Sequence, residues 1–170
     1  MSARAPRHRG RELALRALYQ ADVLNETRAD ALTQILEDPA PRDPDEIAAL
    51  AETLPEGEEP RPESLDPSLV EFVTRLVRLV DEHAVEIDET IESAAQNWRL
   101  ARMATVDRNV LRLGVAELLY RPDVPVGVAI NEAILLAKRY GGKDSSAFVN
   151  ALLDRVASKA KSGQSSPDAR

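Results

Sequence analysis

The chain has 170 residues, a formal net charge of −7, no cysteine and only 4% aromatic residues. That length suits one domain with a real core plus tails, and the lack of cysteine rules out a disulfide framework or a thiolate metal site. No run approaches the roughly 18 apolar residues of a membrane span, and no apolar core follows the first arginines, so neither a span nor a signal peptide is expected and the expected location is cytoplasmic.

Charge is segregated. Residues 1–21 carry five arginines and one glutamate, net +4, residues 22–67 are net −11, and residues 68–170 are net 0. A cationic strip at one end of an acidic protein points to a polyanion. Ala, Leu, Glu and Arg dominate and strand-like alternation is scarce, which predicts an all-α fold.

In chain order, residues 1–9 read as a basic flexible tail. Leu13, Ala14, Ala17, Leu18, Ala21 and Leu24 recur at the spacing of one helix face, predicting a helix from Gly10 to Leu24. Residues 38–66 place six prolines among acids and read as a loop or insertion. Within it, Asp43, Pro44 and Glu46 form a capping-box start for a short helix through Leu54. Asp66-Pro67 opens a better helix, with the stripe Leu69, Phe72, Val73, Leu76, Val77 and Val80. A second stripe, from Ala84 through Ile87 and Ile91 to Trp98, follows a break near His83, and Trp98 reads as a core anchor at the helix end.

Thr105 is placed to cap a helix over 106–120 that is apolar around most of its circumference, as a central helix must be. Val126, Ile130, Ala133, Ile134 and Ala137 define the next helix, stopped by Gly141 and Gly142. Phe148, Val149, Leu152, Leu153 and Val156 define the last, over 145–158, and 159–170 reads as a flexible tail. About seven helices in a single bundle over residues 10–158 result.

Reactive chemistry is sparse. His8 and His83 are far apart and lack zinc-type spacing, and there is no nucleophile elbow. Gly142-Lys143 fails as a phosphate loop because Ala137 replaces the first glycine and Asp144 replaces the magnesium-binding hydroxyl. Neither an enzyme nor a bound cofactor or metal is expected.

Several blocks, in order, resemble the NusB family of bacterial transcription antitermination factors. They are Arg-His-Arg-Gly-Arg-Glu-Leu-Ala-Leu-Arg-Ala-Leu-Tyr-Gln (7–20), Trp98 with Arg99, Leu100 and Arg102, Val106-Asp107-Arg108 with Leu111-Arg112-Leu113, Glu117-Leu118-Leu119-Tyr120 leading to Asp123-Val124-Pro125, Val128 through Ala133, and Phe148-Val149-Asn150 with Leu153-Asp154. The resemblance covers 7–37 and 67–157. It implies a small all-α protein that needs no cofactor and binds single-stranded boxA RNA of nascent ribosomal transcripts. It also implies that the protein pairs with the small-subunit ribosomal protein NusE and joins an RNA polymerase antitermination complex. His8, Ala21, Gly127 and the long 38–66 segment depart from the family pattern, and Gly127 removes a basic contact near the Asp123 turn.

The RNA-binding residues this implies are Arg7, His8, Arg9, Arg11, Tyr19 and Asp123. Arginines fork onto phosphates and stack on unpaired bases, while an acid reads a base edge. Charge alone would equally suit a solubilising terminus, Tyr19 a half-buried core position, and Asp123 a turn. Glu82, Glu86 and Glu89 are the candidate face for the basic partner, against a solvated helix face. Asp107 and Arg108 suit an interhelical ion pair, and Asn131 a structural role. Two alternatives stand: an RNA-recruitment module acting with a separate ribosomal RNA cytosine methyltransferase, and a purely structural helical homodimer.

Overall fold

A computed structural model describes residues 4–39, 64–96 and 98–164, and among these the protein is all-α. Seven helices run in order: α1 (Arg4–Leu24), α2 (Arg28–Glu37), α3 (Pro67–Glu82), α4 (Ala84–Ala95), α5 (Thr105–Tyr120), α6 (Val126–Tyr140) and α7 (Ser145–Gln164), with a 3-10 turn Leu100–Arg102 ahead of α5. The expected short helix from Pro44 to Leu54 lies outside the described residues.

Local chemistry sets the starts. Thr27 Oγ1 accepts from the Asp30 amide at 3.1 Å to open α2, a helix that escaped the sequence reading. Asp66 Oδ1 accepts from the Ser68 amide at 2.8 Å, and Pro67 fills a position whose amide would be unpaired. His83 ends α3 and precedes α4, so the break falls where the two stripes change phase.

Three expectations change. α1 begins at Arg4 rather than Gly10, because His8, Arg9 and Arg11 have tertiary partners that order the turns before Gly10. α7 runs to Gln164, beyond the expected stop at Ser158. Thr105 is the first residue of α5 rather than its cap, which is Ala104 without a side-chain bond.

The core centres on α5, whose Val110, Leu111, Leu113, Gly114, Val115 and Ala116 are all buried. It packs against α1, α3, α4, α6 and α7, and burying a residue such as Leu111 contributes about 1.5–3 kcal/mol. α1 and α5 run antiparallel, because Arg11 meets Glu117 at one end and Asp22 meets Arg108 at the other.

Gly10 marks the closest approach of α1 to α3: a Cβ there would stand 2.5 Å from Phe72 Cδ1 and 3.1 Å from Leu69 Cδ1. Gly127, in the first turn of α6, has nothing within 4 Å of that position. Gly10→Ala should therefore destabilise by about 1–3 kcal/mol through overpacking, whereas Gly127→Ala should be neutral or stabilising by up to about 1 kcal/mol. Chemical denaturation of the two variants checks this; equal stabilities would mean that α1 and α3 move apart freely.

Candidate functional site

The rotation of α1 divides the cationic strip. At 3.6 residues per turn, Arg7 and Arg11 share one side while Arg9 and Arg16 face roughly the other way. Arg11 is buried: its Nε donates to Glu117 Oε1 at 2.9 Å and Oε2 at 3.2 Å, and its guanidinium lies 5.5 Å from the Phe72 ring centre. Burial pushes the Glu117 carboxyl above its ordinary range, and the Arg11 charge opposes that rise. His8 Nδ1 lies 2.6 Å from Oε2 of the buried Glu132, and Arg11 Nη1 is 4.0 Å from the same oxygen. Glu12, also buried, has Arg139 Nη1 at 3.1 Å and Arg9 Nη1 at 3.6 Å, and it accepts from the Tyr140 hydroxyl. Arg9 and Arg16 both donate to the Pro39 carbonyl, at 2.8 and 3.1 Å.

Arg7 is exposed and shares a cleft of about 430 Å³ with Asp123, Arg121, Arg75 and Phe72. Arg121 grips Asp123 in a fork, Nε to Oδ1 at 2.9 Å and Nη2 to Oδ2 at 2.8 Å. That bond holds the Asp123 carboxyl down at about 2, with the charges of Arg121 and Arg7 adding to it. The cleft thus offers a fixed carboxylate beside exposed cations, a pairing that suits a base edge next to a phosphate. Tyr19, 42% exposed, lies elsewhere, in a largely apolar cleft of about 490 Å³ with Arg16, Val23, Ile35, Val106 and Tyr140.

Of the six nominated RNA residues, the fold brings Arg7 and Asp123 together, ties His8, Arg9 and Arg11 to buried carboxylates, and sets Tyr19 apart. Glu86 and Glu89 line a cleft of about 400 Å³ with Leu119, Val156 and Lys159, while Glu82 faces a different groove beside Arg75 and Arg78. Glu86 accepts from the Tyr120 hydroxyl, whose ring stacks on His83 at 3.9 Å. Burial and then Glu86 push that hydroxyl up to about 12.

The buried carboxylates are not among the expected site residues, yet Arg11 is three, four and seven residues before Ala14, Leu15 and Leu18, on the apolar stripe itself. That phase was the available signal. Arg108 makes its interhelical pair with Asp22, whereas the Asp107 Oδ1 is buried without a hydrogen-bond partner among the described residues. Asn131 is exposed rather than interhelical. Trp98 is 54% exposed, not a core anchor, because α4 ends at Ala95 and the chain turns outward before reaching it.

Removing one partner of a buried ion pair typically costs about 3–5 kcal/mol, so Arg11→Ala should lower the melting temperature sharply, while Arg7→Ala should change stability by less than about 0.5 kcal/mol. Thermal unfolding followed by circular dichroism distinguishes them. The Asp123 side chain should titrate at about 2 by NMR and move back toward 3.8 in Arg121→Gln. Because its folded-state value is depressed, this pair stabilises the fold above the ordinary aspartate range and is lost as pH falls through about 2.

Comparison with known proteins places this arrangement. The NusB family model matches residues 8–158. The transcription antitermination protein NusB of Myxococcus xanthus is 47% identical over 151 residues, 89% of this chain and 94% of that one. Among solved structures, T. maritima NusB superposes with a TM-score of 0.65 at 36% identity, covering 90% of this chain and 91% of its own. A structure of antitermination factors NusB and NusE in complex with double-stranded RNA shares the fold, with a TM-score of 0.70 at 24% identity over 91% of this chain and 98% of that one. With the family model matching residues 8–158 and the fold shared with solved T. maritima NusB, the chain belongs to the NusB family.

Proposed function

We propose that this protein is a transcription antitermination factor that binds boxA-type single-stranded ribosomal RNA together with a NusE-type ribosomal protein, and that the complex helps RNA polymerase read through terminators in the cytoplasm. The observation that carries this is the family match over residues 8–158. A protein of the same fold has been solved with NusE and double-stranded RNA, which supports RNA and a NusE-type protein as the ligand classes.

In this reading Arg7 contacts phosphate and Asp123 accepts from a base edge, held in place by Arg121. His8 and Arg9 border that surface. Arg11 acts at one remove, fixing the α1 turn that presents Arg7. Tyr19 contacts RNA only if the strand continues along α1. The basic partner docks on the acidic cleft of Glu86 and Glu89, with Glu82 at its margin, where complementary charge speeds encounter and sets orientation.

Fluorescence anisotropy with a boxA-type oligoribonucleotide tests the reading. Weak binding by the protein alone is expected, and Arg7→Ala should reduce the salt slope by about one phosphate contact. The ribosomal partner should raise RNA affinity by about tenfold or more, a coupling of about 1.4 kcal/mol. Glu86→Lys should weaken partner binding while sparing RNA binding by the isolated chain. Partner binding unaffected by that reversal would leave the acidic face merely solvated.

A further inference from the structure

The chain's only tryptophan is in an unusual place. α4 ends at Ala95, and Gln96 then takes φ 59° and ψ −79°. Side-chain-bearing residues rarely adopt that region, and such strain is retained where a segment must be aimed. What is aimed is Trp98, which is 54% exposed and stacks on no ring or cation among the described residues.

The next residues are built as a small rigid platform. Leu100 and Met103 are buried, and the Leu100 amide donates to Glu92 Oε1 at 3.0 Å. The 3-10 turn closes through Arg102 N to Arg99 O and Met103 N to Leu100 O, at 3.0 and 3.1 Å. In a helix of three residues per turn, positions three apart eclipse each other. Leu100 and Met103 therefore point inward together, and Arg99 and Arg102 stand side by side in solvent. Neither arginine has an ion-pair partner among the described residues.

More positive charge borders the platform. Arg155 of α7 donates to the Ala94 carbonyl at 3.0 Å, and Lys159 reaches the Ser93 carbonyl at 3.4 Å, so both cations flank the last turn of α4. The acids nearby are Glu92, one of whose oxygens is occupied by the Leu100 amide, and Glu89, which lines a cleft with Ser93 and Lys159.

We infer that Trp98, Arg99 and Arg102 form a second RNA-binding patch, on which one unpaired base stacks against the indole while the two arginines hold the flanking phosphates. A π-face bordered by cations is the combination that binds single strands with little regard to sequence. The choice of RNA as ligand rests on the function proposed above. A basic ribosomal partner would be repelled by Arg99 and Arg102.

The patch is separate from the Arg7 and Asp123 cleft. The 3-10 turn leads into the N-terminus of α5, whereas Asp123 follows its C-terminus. The intervening helix of 16 residues spans about 24 Å. An RNA engaging both ends must run the length of the bundle, which makes affinity depend on strand length.

Because Trp98 is the sole indole, its emission reads the patch directly. We would titrate the full-length protein with a labelled mixed-sequence oligoribonucleotide, following both anisotropy of the label and tryptophan emission. Trp98 emission is expected to change in step with anisotropy. Trp98→Ala should weaken binding about fivefold or more, the effect of losing one stacked base. Trp98→Phe should retain most of the affinity. Arg99→Ala and Arg102→Ala should each lower the salt slope by about one contact, and Arg7→Ala should weaken binding without removing the emission change.

Anisotropy that reports binding while Trp98 emission stays constant and Trp98→Ala binds as well as the wild type would overturn the patch and leave the RNA-binding function standing. Emission that responds only to the ribosomal partner would make this a protein-docking site and overturn the inference. No binding to any RNA would overturn both. Should Trp98→Ala fail to fold, the wild-type emission still decides.

Discussion

Burying Arg11 forces the rest of the arrangement. A guanidinium taken out of water is tolerable only with an anion at hydrogen-bonding distance, and Glu117 of α5 supplies one at 2.9 Å. Glu132 of α6 lies within reach of the same guanidinium and of the His8 ring. One residue of α1 is thereby tied to two other helices. Apolar packing already holds α1 against its neighbours, and the buried charge adds a directional constraint on both its register and its turn.

A second ionic cluster secures the other end of the same helix pair. Asp22 accepts from Arg108, Asn109 and Arg112, and Arg112 also forks onto Asp88 of α4. Burial pushes the Asp22 carboxyl up, but the Asn109 bond and the two arginine charges outweigh it and hold it below its ordinary value. Two clusters at opposite ends of α1 and α5 make the antiparallel pair a rigid strut. Arg7 and Asp123 lie at one end of that strut, and Trp98 with the 3-10 turn that follows it lies at the other.

Much of this was legible in the sequence, for identifiable reasons. Helix starts at Pro67 and stops at Gly141 follow from local backbone chemistry, and the apolar circumference of 106–120 announced a central helix. α2 was missed because its ten residues sit inside the strongly acidic stretch, where charge obscured the pattern of Ala31, Leu32 and Ile35. The candidate site was read less well. Counting arginines cannot tell Arg7, which faces water, from Arg11, which neutralises a carboxylate more than a hundred positions away. The apolar stripe continues in the sequence from Ala95 to Trp98, and nothing local to a sequence reports the positive φ of Gln96 that takes Trp98 off it.

The Pro39 carbonyl has a bearing on how the chain tolerates change in length. Arg9 and Arg16 clamp that oxygen, and on the far side Leu65 packs on the core while Asp66 caps α3. Both anchors of the intervening stretch are therefore set by residues outside it. With two anchors fixed in this way, doubling the number of residues between them costs only about 0.6 kcal/mol in closure entropy. The chain length between Pro39 and Leu65 can therefore change at little closure cost while the strut keeps its geometry.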